Sequence, residues 1–93
     1  MILKVSPRKE KRYRLTFDNS TYVDFGQKNG KTYIDGRTDK EKDAWHARHK
    51  KDKGYDDPNA GIYYSRMLLW EEPSLKRAIK KFERKNQKNI DIL

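Results

Sequence analysis

The chain has 93 residues, enough for one small domain, and 40% of them are charged against 33% hydrophobic. Its 23 Lys and Arg outnumber 14 Asp and Glu for a formal charge of +9, and it contains no cysteine. These values exclude a large core, a disulfide framework or Cys-based zinc site, and a helical membrane span, which needs roughly 20 apolar residues in a row.

The opening "MILKVSPRKEKR" holds too few apolar residues for a signal-peptide h-region, so a soluble intracellular protein is expected. Strong positive charge favours polyanionic partners, either nucleic acid or an acidic protein surface. An aromatic content of 12% points to a folded module, because a disordered basic tail is poor in such residues.

Residues 1–11 carry Ile2, Leu3 and Val5, then Pro7 among mixed charges, and read as an N-terminal arm or weak first strand. From Arg12 the pattern alternates: Tyr13, Leu15 and Phe17 face one way, Arg12, Arg14 and Thr16 the other. "DNS" at 18–20 has turn chemistry. Val23 and Phe25 then alternate with Tyr22 and Asp24, which completes a hairpin. "KTYID" is a candidate third strand, giving a β region over 12–35.

At Thr38 the chemistry changes. Thr38 followed three residues on by Glu41 forms a capping box, so a helix is expected to about residue 51 or 52 and to end at Gly54. Trp45 and His49 share its apolar face, which is expected to pack on the sheet. After the "YDDPNAG" loop a second helix, 59–70, is apolar around most of its circumference and therefore buried. Pro73 stops it, and Ser74 is a plausible N-cap for a third helix. There Leu75, Ile79 and Phe82 make one narrow stripe, while Lys76, Arg77, Lys80, Lys81, Arg84, Lys85 and Lys88 oppose Glu83 alone, a local +6. The helical region thus covers 38–86. The tail, 87–93, regains three apolar residues, Ile90, Ile92 and Leu93, at strand-like spacing.

His46 and His49 lie three apart on the first helix, a spacing that can serve a metal, but nothing selects the further ligands a site requires. They are read as structural or surface residues, and a chelator is expected to leave the melting temperature unchanged. No Gly-x-Ser-x-Gly or Walker-type loop occurs, and so short a chain leaves little room for a substrate pocket. No catalytic residue, cofactor or small-molecule substrate is expected.

The binding expectations are more specific. The second helix has more apolar faces than one small sheet can cover. Some of Tyr63, Tyr64 and Trp70, with Arg66, should therefore stay accessible to a partner. Arg12, Arg14, Lys76, Arg77, Lys80, Lys81, Arg84 and Lys85 are the candidate polyanion contacts.

The order "RYRLTF", "TYVDFG", "HARHKK" and "GIYYSRMLLWEEPSLKRAI" resembles a family of small basic, largely uncharacterised proteins of nucleocytoplasmic large DNA viruses. The matching positions are 13–17, 23–26, 47–51, 65–70 and 73–75. This chain departs from the pattern at Leu15, Met67, Glu72 and Ser74, and at Glu72 it loses a positive charge, so no anion contact is carried over there. Residues 1–11 and 86–93 lie outside the resemblance and read as particular to this protein.

The resemblance implies a virion or viral-factory protein and supplies no catalytic residues. The expected fold is α+β: an antiparallel hairpin or three-stranded sheet followed by about three helices packed on one face. The expected function is a small minor capsid or cementing component, docking on other virion proteins through apolar and basic surfaces. The alternative is a nucleic-acid-binding protein that packages or organises viral DNA. The expected location is the virion, with host cytoplasm or the viral factory during assembly.

Overall fold

The computed structural model describes residues 1–93. A four-stranded mixed sheet of order β3-β2-β1-β4 is formed by β1 (Ile2–Val5), β2 (Lys11–Thr16), β3 (Tyr22–Gln27) and β4 (Asp91–Ile92). Three α-helices lie between β3 and β4: α1 (Asp39–His49), α2 (Gly61–Leu69) and α3 (Leu75–Asn86). The fold is α+β, as expected.

Alternation sets the faces of the sheet. Leu3 pairs with Leu15, Leu15 with Val23, and Tyr13 with Phe25, so one face is apolar across three strands. Leu3, Leu15 and Phe25 are fully buried there against Tyr64, Met67, Leu68 and Leu69 of α2 and Ala78, Ile79 and Phe82 of α3. Tyr13 and Phe17 pack on the edge of this core, as their phase predicts. In the hairpin turn, the residue with positive φ is Ser20 (+73°), while Asn19 Oδ1 accepts from the Thr21 N–H (3.2 Å) and hydroxyl (2.6 Å).

Both chain ends form strands, and two expectations need correction, the candidate third strand and the first helix. Of the two readings of residues 1–11, the strand forms: β1 is an interior strand, paired with β2 on one side and β4 on the other. The tail contributes β4, which runs parallel to β1 with Ile2 opposite Asp91 and Leu3 opposite Ile92.

The candidate third strand is instead a 3-10 turn, Tyr33–Asp35. The Asp35 carboxylate captures both the N–H and the hydroxyl of Thr32 (2.9 Å each), and Gly36 closes the turn at φ +97°. A side chain that satisfies nearby backbone donors competes with the sheet ladder for them.

Finally, α1 ends at His49, and a second 3-10 turn, Lys53–Asp56, follows. Its Trp45 face packs on Trp70, just past the end of α2, rather than on the sheet (ring centroids 5.3 Å, 11° between planes).

Both expected caps form. The Thr38 hydroxyl accepts from the Glu41 N–H (3.2 Å), and the Ser74 hydroxyl accepts from the Arg77 N–H (3.2 Å). α2 lies close along the outer edge of β3, where a Cβ on Gly61 would stand 2.9 Å from the Asp24 carbonyl oxygen. At that point the helix stands against the edge of β3, where another strand would otherwise pair.

Candidate functional site

The second helix spends its apolar surplus inside the molecule. Tyr63 and Tyr64 are buried, at 8% and 4% exposure, so of the three aromatics of which some were expected to stay accessible, Trp70 alone keeps part of its surface. Tyr64 is packed among Phe17, Phe25 and Phe82, and its hydroxyl donates to the Pro58 carbonyl (2.8 Å). Burial pushes its phenol up to about 12. Arg66 donates through Nε to the Tyr55 carbonyl (2.9 Å), reaches Asp56 (3.3 Å) and lies over the Tyr55 ring (4.4 Å). It fastens the second 3-10 turn to α2.

Trp70 is half-buried, stacked on Trp45, whose other neighbour is the His49 ring (4.4 Å). His46 locks this stack. Its Nε2 lies 2.8 Å from the Trp70 carbonyl and its Nδ1 2.7 Å from the Tyr55 hydroxyl. A carbonyl only accepts, so Nε2 carries the proton.

The apolar side chains that do reach solvent belong mainly to the strands: Ile2 (40% exposed), Val5 (65%), Ile92 (60%) and Leu93 (81%). They lie on or just beyond β1 and the two-residue edge strand β4, with Ile2 and Val5 on opposite faces of the sheet. Sequence reasoning missed this grouping because it depends on pairing between opposite ends of the chain.

The eight expected polyanion contacts divide in half. Arg12 grips Asp35 through both terminal nitrogens, with Nη2 to Oδ1 at 2.8 Å. Arg14 grips Asp24 through Nε (2.8 Å) and Nη2 (3.0 Å) and stacks on Tyr22 (3.7 Å). These guanidiniums hold both carboxyls below the usual range, with Ser6 assisting at Asp24 and Thr32 at Asp35. Lys81 reaches Glu71 (3.0 Å) and Glu72 (3.4 Å), and Arg77 lies 3.5 Å from Glu72. Lys76, Lys80, Arg84 and Lys85 have no carboxylate partner. The first three stand four residues apart along α3, about 6 Å of rise per step, and form one basic row.

The residues matching sequence-family expectations converge elsewhere too. A cleft of about 590 Å³ separates β3 and the loop after it from α1 and α2. Asp24, Phe25 and Gly26 line one wall, Arg48 and His49 a second, and Ser65, Leu69 and Trp70 a third. A family model described as a family of unknown function (DUF5754) matches residues 1–49, more than half of the chain. The chain belongs to this DUF5754 family. The DUF5754 match spans β1 to the end of α1, so the first eleven residues, expected to be particular to this protein, lie within the family's span. No curated protein and no solved structure matches the chain.

Proposed function

We propose that this protein is a non-enzymatic structural component of a viral particle, a small cementing protein held by its basic surface against an acidic partner protein. The observation that carries the reading is the distribution of charge. Seven of the 23 basic residues (Arg8, Arg12, Arg14, Arg37, Arg66, Arg77 and Lys81) pair with carboxylates, which leaves 16 without one. A surface so rich in unpaired cations repels itself and gains by meeting negative charge. The exposed apolar side chains Ile2, Val5, Ile92 and Leu93 supply a second, chemically different kind of contact, which suits a protein that joins two neighbours. The viral setting rests on the sequence resemblance.

The test is fractionation of particles of the virus that encodes it. The protein should remain with shells after nuclease treatment and removal of DNA. Recovery with the genome alone overturns the reading.

The row Lys76, Lys80 and Arg84 favours a second reading, contact with a nucleic-acid backbone. Each phosphate contact adds about 0.9 to the slope of log affinity against log salt for duplex DNA. Under that reading, charge reversal at Lys80 and Arg84 abolishes gel retardation of duplex DNA at physiological salt. Retardation that survives the reversal excludes this row as the contact.

A further inference from the structure

The cleft between β3 and the α1–α2 pair combines apolar walls, with five hydrophobic residues among its 16, and an excess of positive charge. It contains three cations, Lys11, Lys31 and Arg48, and none of them pairs with a carboxylate. The sole carboxylate in its wall, Asp24, is already filled by Arg14 (2.8 and 3.0 Å) and by the Ser6 hydroxyl (3.1 Å). The Ser65 hydroxyl, the Gln27 amide and the indole N–H groups of Trp45 and Trp70 have no hydrogen-bond partner within the chain. No buried side-chain nitrogen or oxygen lacks a partner, so these groups reach solvent. The cleft therefore offers positive charge and several unused donors, and its one carboxylate is already engaged.

Its walls are also fixed in place. Trp45 is held between Trp70 and His49, and the His46 bridge to the Trp70 carbonyl and the Tyr55 hydroxyl holds the stack. The β3 wall packs closely on α2 at Gly26, where a Cβ would stand 2.9 Å from Leu69 Cδ1. A preformed site loses little to ordering when a ligand enters. The volume of about 590 Å³ lies within the range of small-ligand clefts and exceeds what the chain length led one to expect.

We propose that this cleft binds a phosphate-bearing ligand of nucleotide size, its phosphate oxygens facing Lys11, Lys31 and Arg48. A phosphate group offers several strong acceptors and negative charge at once, the complement of this lining. The half-buried Trp70 supplies an aromatic wall for a base or another flat group. The site is independent of the α3 row, so loss of particle association leaves it untouched.

The experiment uses the chain's only two tryptophans, both in the cleft wall, as reporters. Indole N–H resonances and tryptophan fluorescence are followed while the full chain is titrated with pyrophosphate, with a nucleoside triphosphate, and with sodium sulfate as a control. Saturable shifts with the phosphate compounds and none with equal sulfate support the site. Tighter binding of the nucleotide than of pyrophosphate assigns the base to the Trp70 wall, and equal binding reduces the ligand to its phosphates.

Lys31→Glu and Arg48→Glu, both at exposed positions, should each weaken binding by about tenfold or more, the loss of one charge-assisted contact. Lys80→Glu should leave it within about twofold, because that residue lies outside the cleft. Equal weakening by Lys80→Glu, shifts matched by sulfate, or no saturation at millimolar ligand overturns the proposal.

Discussion

Arg12 and Arg14 on β2 resemble Lys80 and Arg84 on α3 in sequence: two basic residues on the polar side of an amphipathic element. The fold gives them opposite fates. The β2 pair faces carboxylates brought by β3 and the first 3-10 turn, and each guanidinium closes a two-pronged ion pair. The α3 residues project from a helix whose nearby acids, Glu71 and Glu72, are taken by Lys81 and Arg77. Charge written in a sequence is available to a partner only when the topology brings no counter-charge first.

The sharpest test of this contrast sets the two sides of α3 against each other. Phe82→Ala removes the buried stripe and should cost about 3–5 kcal/mol, a large part of the roughly 5–15 kcal/mol that holds a small domain together. Chemical denaturation should show a much lower midpoint. If the midpoint barely moves, α3 is not seated on the sheet as described.

Next comes the paired side of the comparison. Asp24→Asn weakens the acceptor for Arg14 on a side chain only 3% exposed, and should lower the melting temperature by several degrees. Binding to an acidic partner should change little. A variant that melts normally shows that the Arg14–Asp24 pair adds little to stability.

Acid should act on the same ion pairs. The folded carboxyls of Asp24 and Asp35 titrate below their unfolded value, so the stabilisation they give is complete above the unfolded value, about 4. It drains away as pH falls from there through the depressed folded values. Thermal melts between pH 7 and pH 2 should show this loss, and the double variant Asp24→Asn with Asp35→Asn should flatten it. An unchanged slope in the double variant places the acid sensitivity elsewhere.

The smallest effects belong to the exposed cations, free or paired. Lys80→Glu should leave stability within about 0.5 kcal/mol, as for most exposed substitutions. Arg37→Ala, which removes an exposed pair with Glu41 at 2.9 Å, should cost no more than about 0.5 kcal/mol. A larger change at Lys80 reveals a structural partner for that side chain.

What the sequence disclosed was local. The hairpin over β2 and β3 was legible because each strand has a period of two, and the starts of α1 and α3 were legible because Thr38 and Ser74 cap within three residues of themselves. Positions 31–35 misled because Tyr33 and Ile34 look like strand residues, whereas Asp35 binds the Thr32 backbone and turns the chain. The burial of Tyr63 and Tyr64 was hidden because it depends on Phe17, Phe25 and Phe82 arriving from three other elements. The cleft was hidden for the same reason, its cations being supplied from β2, the loop after β3 and α1.

The parallel pairing of β1 with β4 bears on the order of events in folding. Ile2 meets Asp91 across nearly the whole chain, while β2 and β3 are joined by a short turn. Closing a long loop costs more entropy than closing a hairpin, and contacts between distant residues slow folding. The hairpin should therefore assemble early and β4 should dock last. In native hydrogen exchange the amides of Asp91 and Leu93, which donate to Met1 and Leu3, should be released well before those of β2. The edge that completes the sheet is then also the first to open.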